Sequence, residues 1–135
     1  MDIDVKGYIE AKKALEKYRD DIDKAIKLAV NEASLRLFRS VVKLTPTDTG
    51  WLKENWNIGA IKKDGDYYYC TIDNAVEYAE YVEWGHRIVN RNHEVVGWKD
   101  GEFMLKISEF RVEKQLDRIA RRYLKAVEPK LWLIY

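Results

Sequence analysis

The sequence predicts an α+β fold in which an antiparallel β-sheet packs against a long N-terminal helix and a long C-terminal helix. Three observations carry that reading. Apolar residues recur at helical spacing at the start of the chain and again near its end, and between them lie short aromatic and β-branched runs broken by Asp-Gly turns. At 135 residues, 47% of them hydrophobic and 13% aromatic, residues 1–135 read as one domain that buries a core without a metal or disulfide staple.

The first element runs over residues 8–42, where Ile9, Leu15, Tyr18, Ile22, Ile26, Ala29, Val30, Ala33, Leu37 and Val41 repeat in steps of three and four. Lys12, Lys13, Glu16, Lys17, Arg19, Asp20 and Lys24 make its wet face. A helix of about 35 residues is roughly 50 Å long. That exceeds what a domain of this size covers, so its first turns are expected to fray or to dock on another subunit. Pro46 disfavours helical geometry at Thr45 and places the stop near Lys43 or Leu44.

Thr45-Pro46-Thr47-Asp48-Thr49-Gly50 is a dense turn signal. Residues 51–56 are ambiguous between a helical turn and a strand start, while Ile58, Ala60 and Ile61 look extended. Asp64-Gly65 offers a hairpin turn before the strand-forming run Tyr67-Tyr68-Tyr69-Cys70-Thr71-Ile72. Residues 78–85 are expected to form a turn or short helix stopped at Gly85, with the aromatics packed inward. Ile88, Val89, Val95 and Val96 flank a polar tip at residues 90–92 and suggest two more strands or an extended loop. The tip and both termini are expected to be mobile. Helical spacing resumes at Phe103, Met104, Ile107, Phe110 and Val112 and continues to Val127 before Pro129. Residues 129–135 then form either an interaction tail, through Leu131, Trp132, Ile134 and Tyr135, or a segment that folds back onto its own sheet.

Composition excludes several functions. With 24 Lys and Arg against 23 Asp and Glu, a net charge of +1 gives no footprint for nucleic acid or anionic lipid. No run approaches the roughly 18 apolar residues of a membrane span, so no membrane association is expected. The start of the chain lacks the pattern of a secretory signal, which points to the cytoplasm as the place of synthesis. One cysteine and two histidines do not make a four-ligand zinc site, and singly scattered glycines make no phosphate cradle, so no metal or cofactor is expected.

No local signature links a nucleophile, a base and an orienting acid. Cys70 lies in an aromatic run where a buried, inert thiol is the simpler reading, and His86 and His93 read as surface residues. Glu83 stands out because a carboxylate inside an apolar and aromatic run requires a partner. The alternative to a non-catalytic protein is a small hydrolase or nuclease in which Asp48, Glu83 and His86 converge. Basic residues at Lys114, Arg118, Arg121, Arg122 and Lys125 interleave with Glu109, Glu113 and Asp117, as on a solvated helix face.

Two segments together carry a resemblance. Thr45-Pro46-Thr47-Asp48-Thr49-Gly50-Trp51-Leu52 is similar to the T-P-x-D-T-G-x-L loop of a tailed-phage family of minor tail components, also described as tail-completion, neck or head-to-tail joining proteins. Tyr78-Ala79-Glu80-Tyr81-Val82-Glu83-Trp84-Gly85 resembles the second signature of that family. The likeness extends over roughly residues 8–126. It implies helices packed on antiparallel strands and a non-enzymatic role in virion assembly at the head-to-tail junction or head-proximal end of the tail. The implied partners are further copies of the chain in a ring, the tail terminator or tail tube protein, and the head connector. Position by position, Thr45, Pro46, Asp48, Thr49, Gly50 and Leu52 match the first motif, and Tyr78, Ala79, Tyr81, Val82, Glu83 and Gly85 the second. Asp48 and Thr49 are expected to close the turn, Gly50 to sit where a Cβ does not fit, and Glu83 to accept hydrogen bonds from the loop at residues 45–50. Trp51 and Trp84 are the candidate interface aromatics, and Trp51 and His86 depart from the residue types common at their positions.

Overall fold

A computed structural model describes residues 5–48 and 50–127. Helix α1 spans Val5–Leu44 and helix α4 spans Met104–Lys125, both where the apolar period places them. They pack antiparallel, because contacts at Ser40–Ser108, Arg36–Gln115 and Glu32–Arg122 step down one helix as they climb the other. Between them run α2 (Trp51–Glu54), β1 (Trp56–Ile58), β2 (Lys62–Asp64), β3 (Tyr67–Tyr69), β4 (Ile72–Asn74), α3 (Ala79–Trp84), β5 (Gly85–Val89) and β6 (Val95–Asp100). The ambiguous segment after Gly50 is thus one helical turn followed by a strand.

The α+β class holds, and its strand component among the described residues is three two-stranded antiparallel ladders. Two belong to one interrupted hairpin. β1 pairs β4 with Trp56 opposite Asn74, Gly59 N–H donates to Thr71 O at 2.8 Å, and β2 pairs β3 with Asp64 opposite Tyr67. The loop therefore consists of Gly65 and Asp66, with Gly65 at φ +59°. The third ladder, β5–β6, carries a register irregularity at Ile88 and Val89. Its tip is well bonded: Asn90 Oδ1 accepts the Asn92 and Glu94 amides at 2.9 and 3.0 Å, and Asn90 N–H donates to Glu94 O.

Among the described residues the core lies in two clusters, one where α2 and β1 meet the two long helices and one on the α1–α4 seam. Val41, Leu52, Trp56 and Met104 form the first, with Phe38, Ile72, Val76 and Val82 packed on it; Ala33, Val112 and Ile119 form the second. The sequence expectation that the aromatics of residues 78–85 pack inward is corrected. Val82 and Ala79 face the core, whereas Tyr81 and Trp84 are 60% and 55% exposed. A six-residue helix has one inward stripe, and Ala79, Val82 and Glu83 occupy it.

Candidate functional site

The first motif joins α1 to the long hairpin. Thr45 is buried; its hydroxyl donates to Val41 O at 2.5 Å and accepts the Trp56 indole N–H at 2.7 Å. One small side chain thereby closes the helix end and satisfies the polar atom of a core tryptophan. Leu52 sits in the core beneath it, and the Asn74 amide donates to Leu52 O at 2.7 Å while its Oδ1 accepts the Val76 amide at 3.1 Å. Gly50 has φ +71°, but a Cβ there would come no nearer than 3.7 Å to Glu54 Oε1. Backbone conformation, not crowding, is the reason for glycine. Asp48 is exposed, Pro46 half-buried, and Thr49 lies outside the described residues.

The second motif organises the start of α4. Glu83 is only 4% exposed, and its carboxylate accepts the Leu105 amide on Oε2 and the Lys106 amide on Oε1, each at 3.0 Å. Its backbone carbonyl accepts the Phe103 amide and that of Val82 accepts the Glu102 amide. Phe103, before α4, lies in the left-handed region at φ +50° and gives no side-chain cap, so Glu83 caps the helix from another element. A carboxylate there also meets the positive end of the helix dipole. The expected bond from Glu83 to the loop at residues 45–50 is therefore corrected: both oxygens are engaged by α4, 22 and 23 residues downstream.

Gly85, at φ +88°, ends α3 and begins β5; a Cβ on it would lie 2.5 Å from Lys99 O and 2.9 Å from Gly101 N. A Cβ on Gly101 would lie 2.2 Å from Glu83 O. Two glycines thus let the hairpin and the α3–α4 junction meet backbone to backbone. Reading the sequence missed Gly101 as a partner of the motif, since an Asp-Gly pair reports a turn and not what the turn touches.

The catalytic alternative gains nothing from this geometry. Glu83 is fully used as a cap and Asp48 is exposed on the loop before α2. His86 Nδ1 lies 3.0 Å from the Arg87 carbonyl, with its ring edge-on to Tyr81. Among the described residues no three His, Cys, Asp or Glu side chains form a metal-binding group. Cys70 is half-buried just beyond β3, its thiol donating to Gly59 O at 3.2 Å. Tyr78, Tyr81, His86, Arg87 and His93 line an open concavity of about 650 Å³ between α3 and the β5–β6 ladder.

The surface carries two ion-pair clusters that tie α1 to other elements. Asp23 accepts from Tyr68 OH and Lys63 Nζ, the latter at 3.1 Å, which holds its carboxyl below the ordinary range and pushes both partners up. Glu32 pairs with Arg122 and accepts from Tyr123 OH at 3.2 Å; its carboxyl is held down mainly by the Arg122 hydrogen bond. On α4 the expected alternation of paired charges is realised once among the described residues, at Arg121–Asp117. Trp51 is 57% exposed and Trp84 stands edge-on to Phe103. Leu131, Trp132, Ile134 and Tyr135 lie outside the described residues. Among the described residues no helix is long and apolar enough to cross a membrane.

A family model described as "Bacteriophage HK97-gp10, putative tail-component" matches residues 9–85, more than half of the chain. The match takes in most of α1 and both motifs and ends at Gly85, short of the wider span suggested by the resemblance. No curated protein and no solved structure is significantly similar to the chain.

Proposed function

The chain belongs to this bacteriophage tail-component family, and from that premise we propose that it is a structural part of the virion that acts without catalysis at the head-to-tail junction or head-proximal end of the tail. The observation that carries the proposal is that the match spans both motifs, three of whose residues hold elements together: Thr45 anchors Trp56, Glu83 caps α4, and Gly85 admits the hairpin. Residues 1–135 act as one unit in this reading, made in the host cytoplasm and then incorporated. Its partners are further copies in a ring, the tail terminator or tail tube protein, and the head connector. Trp51 and Trp84 supply exposed aromatic contact area of the kind that anchors interfaces, and Leu131, Trp132, Ile134 and Tyr135 are further contact candidates by residue type alone.

Deleting the gene from its phage or prophage and viewing induced lysates by negative-stain electron microscopy tests the position. Filled heads and finished tails that accumulate unjoined, or tails abnormal at the head-proximal end, are the expected result. Intact infectious particles in normal numbers overturn it.

A further inference from the structure

Helix α4 leaves two flanks of opposite character uncovered. Its inward line is fixed by Met104, Ser108, Val112 and Ile119. On one side of that line an open groove of about 590 Å³ is lined by Phe103, Lys106, Ile107, Phe110, Arg111 and Lys114. Phe110 is 59% exposed at its floor. No carboxylate lines the groove, and among the described residues none of its three cations is in an ion pair. The two lysines rest on rings instead: Lys114 Nζ is 4.1 Å from the Phe110 centroid, and Lys106 Nζ is 5.6 Å from that of Phe103.

On the other side, between α4 and α1, a groove of about 290 Å³ has an aliphatic floor of Ala33, Leu37, Val112 and Leu116. Its only charged lining residues are Glu109 and Glu113, which are also outside every ion pair among the described residues. At 3.6 residues per turn the two grooves are centred about 140° apart around α4. One neighbouring helix cannot cover both.

Each flank offers what the other lacks, an aromatic floor with cations against an aliphatic floor with carboxylates. We propose that the basic, aromatic flank of α4 in one copy docks on the acidic, aliphatic flank of α4 and α1 in a second copy. Pairing like flank with like flank sets charge against like charge, so the complementary contact is head-to-tail and each added copy presents a fresh flank. Such a contact closes into a ring when the rotation per copy permits. The inference rests on the proposed reading that copies of the chain associate, and it names the surfaces that join them.

Sedimentation velocity of the full chain tests it with paired charge reversals. The wild type is expected to form species larger than a dimer as concentration rises, weakening several-fold between about 50 and about 500 mM salt. R111E/K114E and E109K/E113K are each expected to weaken association roughly tenfold or more, with circular dichroism unchanged. Mixing the two variants, or placing all four substitutions in one chain, restores it. Association of every variant at the wild-type level overturns the flank contact while leaving a ring built through another surface intact. Failure of the mixture and the fourfold variant to recover overturns it too. A wild type that stays monomeric to about 1 mM at low salt overturns both this contact and unaided self-association. Binding of short duplex DNA that R111E/K114E abolishes, with no self-association, reassigns the basic flank to nucleic acid.

Discussion

Replacing Glu83 tests whether the second motif is a helix cap. Its two oxygens accept the amides of Leu105 and Lys106 in a site that is 4% exposed, where water does not substitute freely. Glu83→Ala orphans both donors at the positive end of α4. Hydrogen bonds to a charged group contribute about 1.5–3 kcal/mol each, and loss of a helix N-cap costs about 0.5–2 kcal/mol, so these overlapping terms give about 2–4 kcal/mol of lost stability. Glu83→Gln is the sharper variant. Its carbonyl oxygen still accepts one amide, but its NH2 then confronts the other, donor against donor, so it is expected to lose about 1–3 kcal/mol. Urea titrations followed by circular dichroism measure both, and an unchanged dependence on denaturant confirms that the unfolded state is the same. A Glu83→Gln protein within about 0.5 kcal/mol of the wild type refutes the cap, because that is the scatter of an ordinary surface change.

Three further outcomes follow from the packing. Thr45→Val removes the acceptor of the buried Trp56 indole and is expected to cost about 1–3 kcal/mol by thermal or urea unfolding, whereas Thr45→Ser, which keeps the oxygen, costs less than half as much. Gly85→Ala and Gly101→Ala, whose new methyls meet backbone at 2.5 and 2.2 Å, are expected to prevent folding or lower the melting point sharply; Gly65→Ala, in open space at φ +59°, costs about 1 kcal/mol. Acidification is expected to loosen the tie that Asp23 makes between α1 and the β2–β3 hairpin. Because the Asp23 carboxyl is depressed in the folded state, its contribution is present at neutral pH and is lost as the pH falls below about 4. Hydrogen exchange at Tyr67–Tyr69 between about pH 6 and about pH 3 reads the loss, and Asp23→Asn is expected to flatten the dependence.

The two long helices were legible because their information is local: a 3.6-residue apolar period extends over many turns, and Pro46 marks one end. A hairpin turn near Asp64-Gly65 and the stop at Gly85 were legible for the same reason, although the loop itself falls one residue later, at Gly65 and Asp66. What Glu83 touches was not, since its partners lie 22 and 23 residues away across a tertiary contact. The sequence did show that a carboxylate in an aromatic run needs donors, though not which donors. Nor does a segment of six helical residues carry enough turns to reveal which side chains face in, and so Tyr81 and Trp84 read as core when they are surface.

The family match ends at Gly85, yet the contacts that make Glu83 and Gly85 intelligible lie beyond it, at Lys99, Gly101, Leu105 and Lys106. A buried carboxylate without donors carries a desolvation cost that only α4 offsets, and a left-handed Gly85 gains from its missing Cβ only where the hairpin returns against it. The second motif is therefore one half of a device whose other half is a glycine and a helix start without a local cap. Phe103 supplies the latter, at φ +50° with no side-chain cap. It follows that the matched segment alone lacks its own closure. A fragment ending after Gly85 is expected to lose the cooperative unfolding of the full chain, and adding back residues 86–127 as a separate peptide is expected to restore helicity only when Glu83 is intact.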